Sequence, residues 1–155
     1  MTHDDRGATM DPEPPTAQTV PATRPETDTV LIRVPAHPDY LAIIRSASAH
    51  VGTKLGCTLA EVSDLRLALD EACGLLLRHT VQDPVPDGGG DLECRFVLDG
   101  EALRVVLSLQ ARDAVRPETD EFGWTILTAL VDDFLWRVDG PTVHVEIVKR
   151  RTPGR

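Results

Sequence analysis

The fold of this chain is decided by one stretch, Ala68-Leu69-Asp70-Glu71-Ala72-Cys73-Gly74-Leu75-Leu76-Leu77-Arg78-His79. The stretch belongs to a predicted helix that begins after Thr58, because Thr58 and Glu61 have the spacing of a capping box. Glu71 lies off the apolar side of this helix, with Leu75 one turn and Arg78 nearly two turns further along. The apolar side faces a core, since its residues recur three and four positions apart: Val62, Leu65, Leu69, Ala72 and Leu76.

Composition narrows the class of protein. The chain has 155 residues and a formal net charge of −9, so one domain is expected. Nucleic acids and anionic membranes are unexpected partners, because both favour basic surfaces. No apolar run approaches the roughly 20 residues of a membrane span. The start of the chain is acidic and rich in proline, unlike a signal peptide. The three cysteines lack metal-like spacing, which predicts reduced core residues in a cytoplasmic protein.

Three segments are expected along the chain. Residues 1–28 combine prolines and acidic side chains with few apolar ones, which predicts a disordered tail. Residues 29–150 carry the periodic patterns of one folded domain, and residues 151–155 are predicted to fray. Within the domain, the proline and glycine content of residues 83–90 predicts a flexible loop.

The order of predicted elements is strand, helix, helix, strand, strand, helix, strand. The strands cover residues 29–35, 92–98, 103–109 and 143–147, and the helices cover 38–56, 58–81 and 123–136. A short strand at 135–138 is a further option before the last strand. This order predicts an α+β two-layer sandwich, in which about three helices cover one face of a mixed, mostly antiparallel sheet.

Three pieces in sequence order resemble the GHKL ATPase superfamily, and more closely the anti-sigma-factor serine kinases of bacterial stress and sporulation control. They are residues 65–73 (LRLALDEAC), 111–113 (ARD) and 123–133 (GWTILTALVDD). The resemblance covers about residues 29–150. It implies a histidine-kinase-like ATPase domain with the Bergerat-type ATP-binding fold.

The family's motif helix carries Glu-Ala-x-x-Asn. Its Glu is the general base, and its Asn oxygen binds Mg²⁺. Glu71 matches the Glu, whereas Leu75 stands where the Asn is expected. The resemblance therefore implies a weakened general base and no metal-ligating residue. Judged without the family, Glu71 is better explained as a surface carboxylate that faces Arg78 or solvent.

The nucleotide motifs match only in part. Asp113 matches the family's Asp that accepts the adenine amino group, and Gly123 matches the second glycine of a phosphate-binding Gly-x-Gly. These two residues and Arg78 are the predicted nucleotide-binding residues. Glu121 replaces the first glycine of that pair and would repel phosphate; Val115 and Pro117 replace two others. We therefore expect weak binding of ATP and Mg²⁺, and kinase activity near zero.

The resemblance implies an anti-sigma regulatory factor. Such a protein binds and sequesters an alternative sigma factor and is antagonised by an anti-anti-sigma protein. Arg45 matches a partner-contacting arginine of the family, although taken alone it would be a solvated side chain. Family members are homodimers through the sheet. Two alternatives stay open: an ATP-dependent serine kinase that phosphorylates the anti-anti-sigma factor, and a degenerate ATPase-like domain with another protein partner.

Overall fold

The computed structural model describes Pro12 and residues 27–81, 90–111, 113–114 and 116–153. The tail predicted at 1–28 and the loop predicted at 83–90 lie almost entirely outside these residues. None of the helices in the described part is long and apolar enough to cross a membrane.

The described residues form seven strands and three α-helices. A short 3₁₀ turn, Pro38–Tyr40, precedes the first helix. The elements are β1 (Asp28–Pro35), α1 (Leu41–Leu55), α2 (Leu59–Arg78), β2 (Thr80–Val81), β3 (Asp91–Leu98), β4 (Ala102–Gln110), β5 (Asp113–Ala114), α3 (Phe122–Leu130), β6 (Asp133–Asp139) and β7 (Thr142–Arg150).

Five of the strands form one sheet in the order β1-β3-β4-β7-β6, and every neighbouring pair is antiparallel. The short strands β2 and β5 form a separate antiparallel ladder. Helix α1 packs on β3 and β4, α2 on β7, and α3 on β6. The predicted α+β two-layer sandwich is therefore confirmed, with a main sheet that is antiparallel rather than mixed in the part described.

The core lies between the sheet and the helices. Strands β3, β4 and β7 alternate strictly, with one side chain buried and the next more exposed. Rows of buried side chains therefore cross the sheet from strand to strand, as in Phe96–Val105–Ile147. Helix α2 covers these rows with the predicted stripe: Leu65, Leu69, Ala72 and Leu76 are at most 1% exposed. Removing such apolar surface from water is the main stabilising contribution of the fold.

Local sequence determines where α1 ends and where α2 begins. Gly56 ends α1 with a φ of 88°, a left-handed conformation that favours glycine. The predicted capping box opens α2: the Glu61 amide donates to Thr58 Oγ1, and the Thr58 amide donates to Glu61 Oε2. Thr152, in the segment predicted to fray, donates to Glu61 Oε1 through both its amide and its hydroxyl. The domain boundaries themselves stay a prediction.

Two expected helices end early. The helix predicted at 58–81 ends at Arg78, and Thr80–Val81 form the short strand β2. The helix predicted at 123–136 ends at Leu130, and the optional short strand is the seven-residue β6. Residues after 130 pair with β7 instead: the Asp132 amide donates to Val148 O, and the Arg150 amide donates to Asp132 Oδ2. Lys149 Nζ donates to Leu130 O at the helix end. Pairing with β7 satisfies the backbone of residues 133–139, which decides the competition in favour of a strand.

Candidate nucleotide and partner sites

Helices α2 and α3 meet at Gly123, next to the predicted catalytic face. A Cβ placed on Gly123 would lie 3.1 Å from Glu71 Oε2 and 3.3 Å from Leu75 Cδ2. Gly123 is buried, Leu75 is fully buried and Glu71 is half-buried. The fold thus brings together three residues that the family resemblance singled out, and any larger residue at position 123 would require Glu71 or Leu75 to shift by a few tenths of an ångström.

The residues around Glu71 do not fit a magnesium ion. Mg²⁺ takes hard oxygen ligands in octahedral geometry, whereas Leu75 presents hydrocarbon where the family has an amide oxygen. Within the described residues, no group of three or more His, Cys, Asp or Glu side chains could hold a metal. The described side chains around Glu71 therefore do not form a magnesium site, and no chemical step is assigned to Mg²⁺ here.

Arg78, predicted to contact nucleotide, instead faces an internal carboxylate. Its Nη2 lies 3.8 Å from Glu121 Oε1, and His79 Nε2 lies 2.9 Å from Glu121 Oε2. Glu121 is the N-cap residue of α3, so its carboxylate lies at the end of the helix that favours anions. The sequence indicated that Glu121 would repel phosphate. It did not indicate that His79 and Arg78 would bind Glu121.

Asp113 lies on the short strand β5, where its backbone pairs with Val81 of β2. The residue is exposed, and its carboxylate makes no side-chain contact with the other described residues. The structure therefore does not join Asp113 to the group formed by Glu71, Leu75 and Gly123.

Arg45 lies on α1 and contacts α2. Its Nε and Nη2 donate to Asp70 Oδ1 at 3.0 and 2.8 Å, and both side chains are more than one third exposed. They border a shallow pocket of about 220 Å³, together with Ser63, Arg66 and Leu67. Arg45 is thus at the surface, as a partner contact requires. The sequence did not predict Asp70 as the partner of Arg45. The position of Asp70, directly before Glu71 in the motif, was the one indication of a role for it.

Aromatic side chains pack together on the buried side of α3. Trp124 packs edge-on against Phe134 with ring centroids 4.7 Å apart, and the Arg116 guanidinium lies 5.5 Å from the Trp124 ring centroid. Trp136 lies edge-on to His79 at 6.4 Å. Both tryptophans are at least nine-tenths buried, so they are core residues.

Cys73 and Cys94 offer no reactive thiol, whereas Cys57 is only half-buried and so departs from the prediction of three core cysteines. All three are free, and Cys73 and Cys94 are buried. Burial raises the pKa of Cys73 to about 12 and also raises the pKa of Cys94. A thiol is nucleophilic only as the thiolate, so these two residues act as small apolar side chains, as predicted.

Comparison with known proteins supports the same family. No protein-family model matches the chain. The chain is 34% identical over 115 residues to the anti-sigma-F factor RsbW of Mycobacterium tuberculosis, covering 72% of this chain and 62% of that protein. It is 32% identical over 81 residues to the serine-protein kinase RsbW of Bacillus subtilis, covering 52% and 49%. The chain thus spans about half to three-fifths of the length of these relatives.

The structural comparison concerns the fold. The crystal structure of the RsbU and RsbW domains of Rv1364c from Mycobacterium tuberculosis matches with a TM-score of 0.62 at 15% identity. The match covers 83% of this chain and 34% of that one. The resemblance identified from the motifs is thereby confirmed: the chain is similar in sequence to RsbW-type anti-sigma-factor serine kinases and shares the fold of an RsbW domain.

Proposed function

We propose that this protein is an anti-sigma factor that works mainly by binding: it sequesters an alternative sigma factor and is released by an anti-anti-sigma protein. The observation that carries the proposal is the buried Leu75 beside Glu71. The motif helix keeps its carboxylate but lacks the metal-ligating oxygen, so the site is equipped for binding better than for phosphoryl transfer. The partner class is supported by the relative named anti-sigma-F factor.

We also propose the setting in which this binding occurs. Residues 29–150 form the functional domain, it acts in the cytoplasm, and it pairs with a second copy through the sheet. Arg45 is the proposed partner contact, because its guanidinium is at the surface and is held, among the described residues, by the partly exposed carboxylate of Asp70. An acidic group of the partner can replace the Asp70 carboxylate at this arginine.

The test is co-elution of the purified full chain with each alternative sigma factor of its host, followed by titration calorimetry. Arg45→Ala should weaken binding by about tenfold or more, as for other arginine anchors in interfaces. Asp70→Ala is the matched control, because it breaks the same Arg45–Asp70 contact while leaving Arg45 available. Equal losses for both variants would make the arginine structural, and no binding of any sigma factor would refute the proposal.

A second candidate is serine kinase activity on the anti-anti-sigma protein. It is favoured by Glu71, whose Oε2 lies beside Gly123 at the start of α3, and by the name of the Bacillus subtilis relative. In this proposal Glu71 is the weakened general base, and Asp113, Gly123 and Arg78 contact ATP. Phosphate transfer from ATP with Mg²⁺ to the anti-anti-sigma protein, abolished by Glu71→Gln, would support it. Binding of a different protein class instead would favour a degenerate ATPase-like domain.

A further inference from the structure

The start of α3 carries a carboxylate that does not cap its own helix. Glu121 is the N-cap residue, in an extended conformation, and its side chain accepts no hydrogen bond from the first turn. The N-terminus of a helix attracts anions through its free N–H groups and its dipole. The Glu121 carboxylate supplies a negative charge at this end while its oxygens are directed at α2.

An imidazole and a guanidinium at the end of α2 receive this carboxylate. His79 Nε2 lies 2.9 Å from Oε2 and 3.1 Å from Oε1 of Glu121, and Arg78 Nη2 lies 3.8 Å from Oε1. The side chains of His79 and Glu121 are 24% and 29% exposed, so their contact is partly shielded from water. The His79 ring is also supported edge-on by Trp136. The contact therefore has a defined geometry.

The Arg78 guanidinium lies over Gly74, one turn earlier on the same helix. Its Nη1 lies only 2.9 Å from the position of a Cβ on Gly74, so a side chain at residue 74 would displace the guanidinium. The bare surface of Gly74 keeps the positive charge beside Glu121. Together these residues form an internal ion cluster, Arg78–His79–Glu121, that links the end of α2 to the start of α3.

We propose that Glu121 is a built-in anion: its carboxylate occupies His79 and Arg78, holds α3 on α2 without a nucleotide, and excludes polyphosphate from this helix end. This proposal shares one premise with the proposed function, which is that the site formerly bound a nucleotide. A ligand phosphate would meet like charge at Glu121, and it would find the Arg78 guanidinium and the His79 imidazole already paired with that carboxylate. Removing the carboxylate should therefore loosen α3 and create a site for added anions.

The test compares the full chain with Glu121→Ala and with Glu118→Ala. Glu118 lies in the same loop and is exposed, with no side-chain contact to the other described residues. The control thus removes the same charge without breaking the ion cluster. Neither variant loses a helix cap, because Glu121 makes no capping hydrogen bond through its side chain.

Two readouts are measured, and neither uses a sigma factor, so their failure leaves the proposed function standing. Without nucleotide, amide hydrogen exchange within residues 122–130 should be slow in the wild type and about tenfold faster in Glu121→Ala. Millimolar pyrophosphate, or ATP without metal, should raise the melting temperature of Glu121→Ala but not of the wild type or Glu118→Ala.

A second variant separates the anion from the general integrity of α3. His79→Phe keeps an aromatic ring on Trp136 and removes the hydrogen bond to Glu121, so it should speed exchange in α3 without creating an anion site. The proposal is wrong if amide exchange in α3 is unchanged in Glu121→Ala and in His79→Phe. It is also wrong if pyrophosphate stabilises the wild type as much as it stabilises Glu121→Ala. If Glu121→Ala does not fold, the His79→Phe exchange rates and the wild-type response to pyrophosphate decide.

Discussion

Leu75 is fully buried one helical turn from Glu71, against Gly123. Leu75→Asn would restore the family's residue, but it places an amide without arranged partners in an apolar contact. We expect the free energy of unfolding to fall by about 2–4 kcal/mol, measured by urea denaturation. Leu67→Asn is the control: Leu67 lies on the same helix and is 47% exposed, so its substitution should cost about 0.5 kcal/mol or less.

The same substitution tests whether the missing oxygen alone silences the site. We expect Leu75→Asn to give no detectable phosphorylation of the anti-anti-sigma protein, because Glu121 still lies at the start of α3 where the family has glycine. The measurement is phosphate transfer from ATP with Mg²⁺, at a temperature where the variant is folded. Measurable activity would show that Leu75 is the sole defect.

The family resemblance placed Glu71, Leu75 and Gly123 in the motifs of one nucleotide site, because the motifs follow one another in the family's order. They did not predict the contacts of Arg45 with Asp70 or of His79 with Glu121. These contacts join residues that are 25 and 42 positions apart. They depend on how two helices pack and on which side-chain conformations their surroundings leave open, and no local pattern encodes either.

At the scale of the element, the start of α2 is the feature predicted most directly. A capping box satisfies two backbone N–H donors at once, and Thr58 and Glu61 form both of its bonds. Thr58→Ala should lower the free energy of unfolding by about 1 kcal/mol, measured by urea denaturation. Ser63→Ala is the matched control, because Ser63 is exposed on the same helix and makes no side-chain hydrogen bond to the described residues. Equal effects of the two substitutions would contradict the capping role.

The end of α3 shows where periodicity fails. Leu127, Leu130, Val131 and Phe134 continue a helical spacing, but Phe134, Trp136 and Val138 also alternate as a strand does. The chain chooses the strand because β7 offers pairing partners from Val148 to Thr142, and because Gly140, with a φ of 56°, permits the tight turn between the two strands. Neither the pairing with β7 nor the turn at Gly140 is visible in the spacing of apolar residues. Periodicity alone therefore predicts a helix that is six residues too long.

At the scale of the whole molecule, Glu61 ties the chain's C-terminal segment to the start of α2. Hydrogen bonds from Thr152 and Thr58 lower the pKa of Glu61 to about 2, below the usual 4.5. A lowered folded-state pKa means that the carboxylate stabilises the fold above about pH 4.5, and that this contribution is lost as the pH falls towards 2.

Glu61→Gln should therefore reduce the free energy of unfolding at pH 6, and the difference from the wild type should shrink steadily between pH 5 and pH 2. Urea denaturation across this range measures it. Glu118→Gln, at an exposed carboxylate without side-chain contacts to the described residues, should show no such convergence. A constant difference between Glu61→Gln and the wild type at all pH values would indicate that the charge of Glu61 is not involved.

The face of the sheet opposite the helices is where a second copy is proposed to bind. Across its middle runs one row of outward side chains, Leu31–Arg95–Val106–Glu146–Leu135, whose two end residues are about half exposed. Val106 is half-buried at the centre of this row, so a carboxylate there would be desolvated in a face-to-face dimer, beside Glu146. Val106→Asp should therefore convert a dimer into a monomer, with the mass measured by light scattering during gel filtration. Ser63→Asp, which adds the same charge to the helical layer, should leave the mass unchanged. A dimeric Val106→Asp, or a wild type that is monomeric at micromolar concentration, would place the contact between copies elsewhere or remove it.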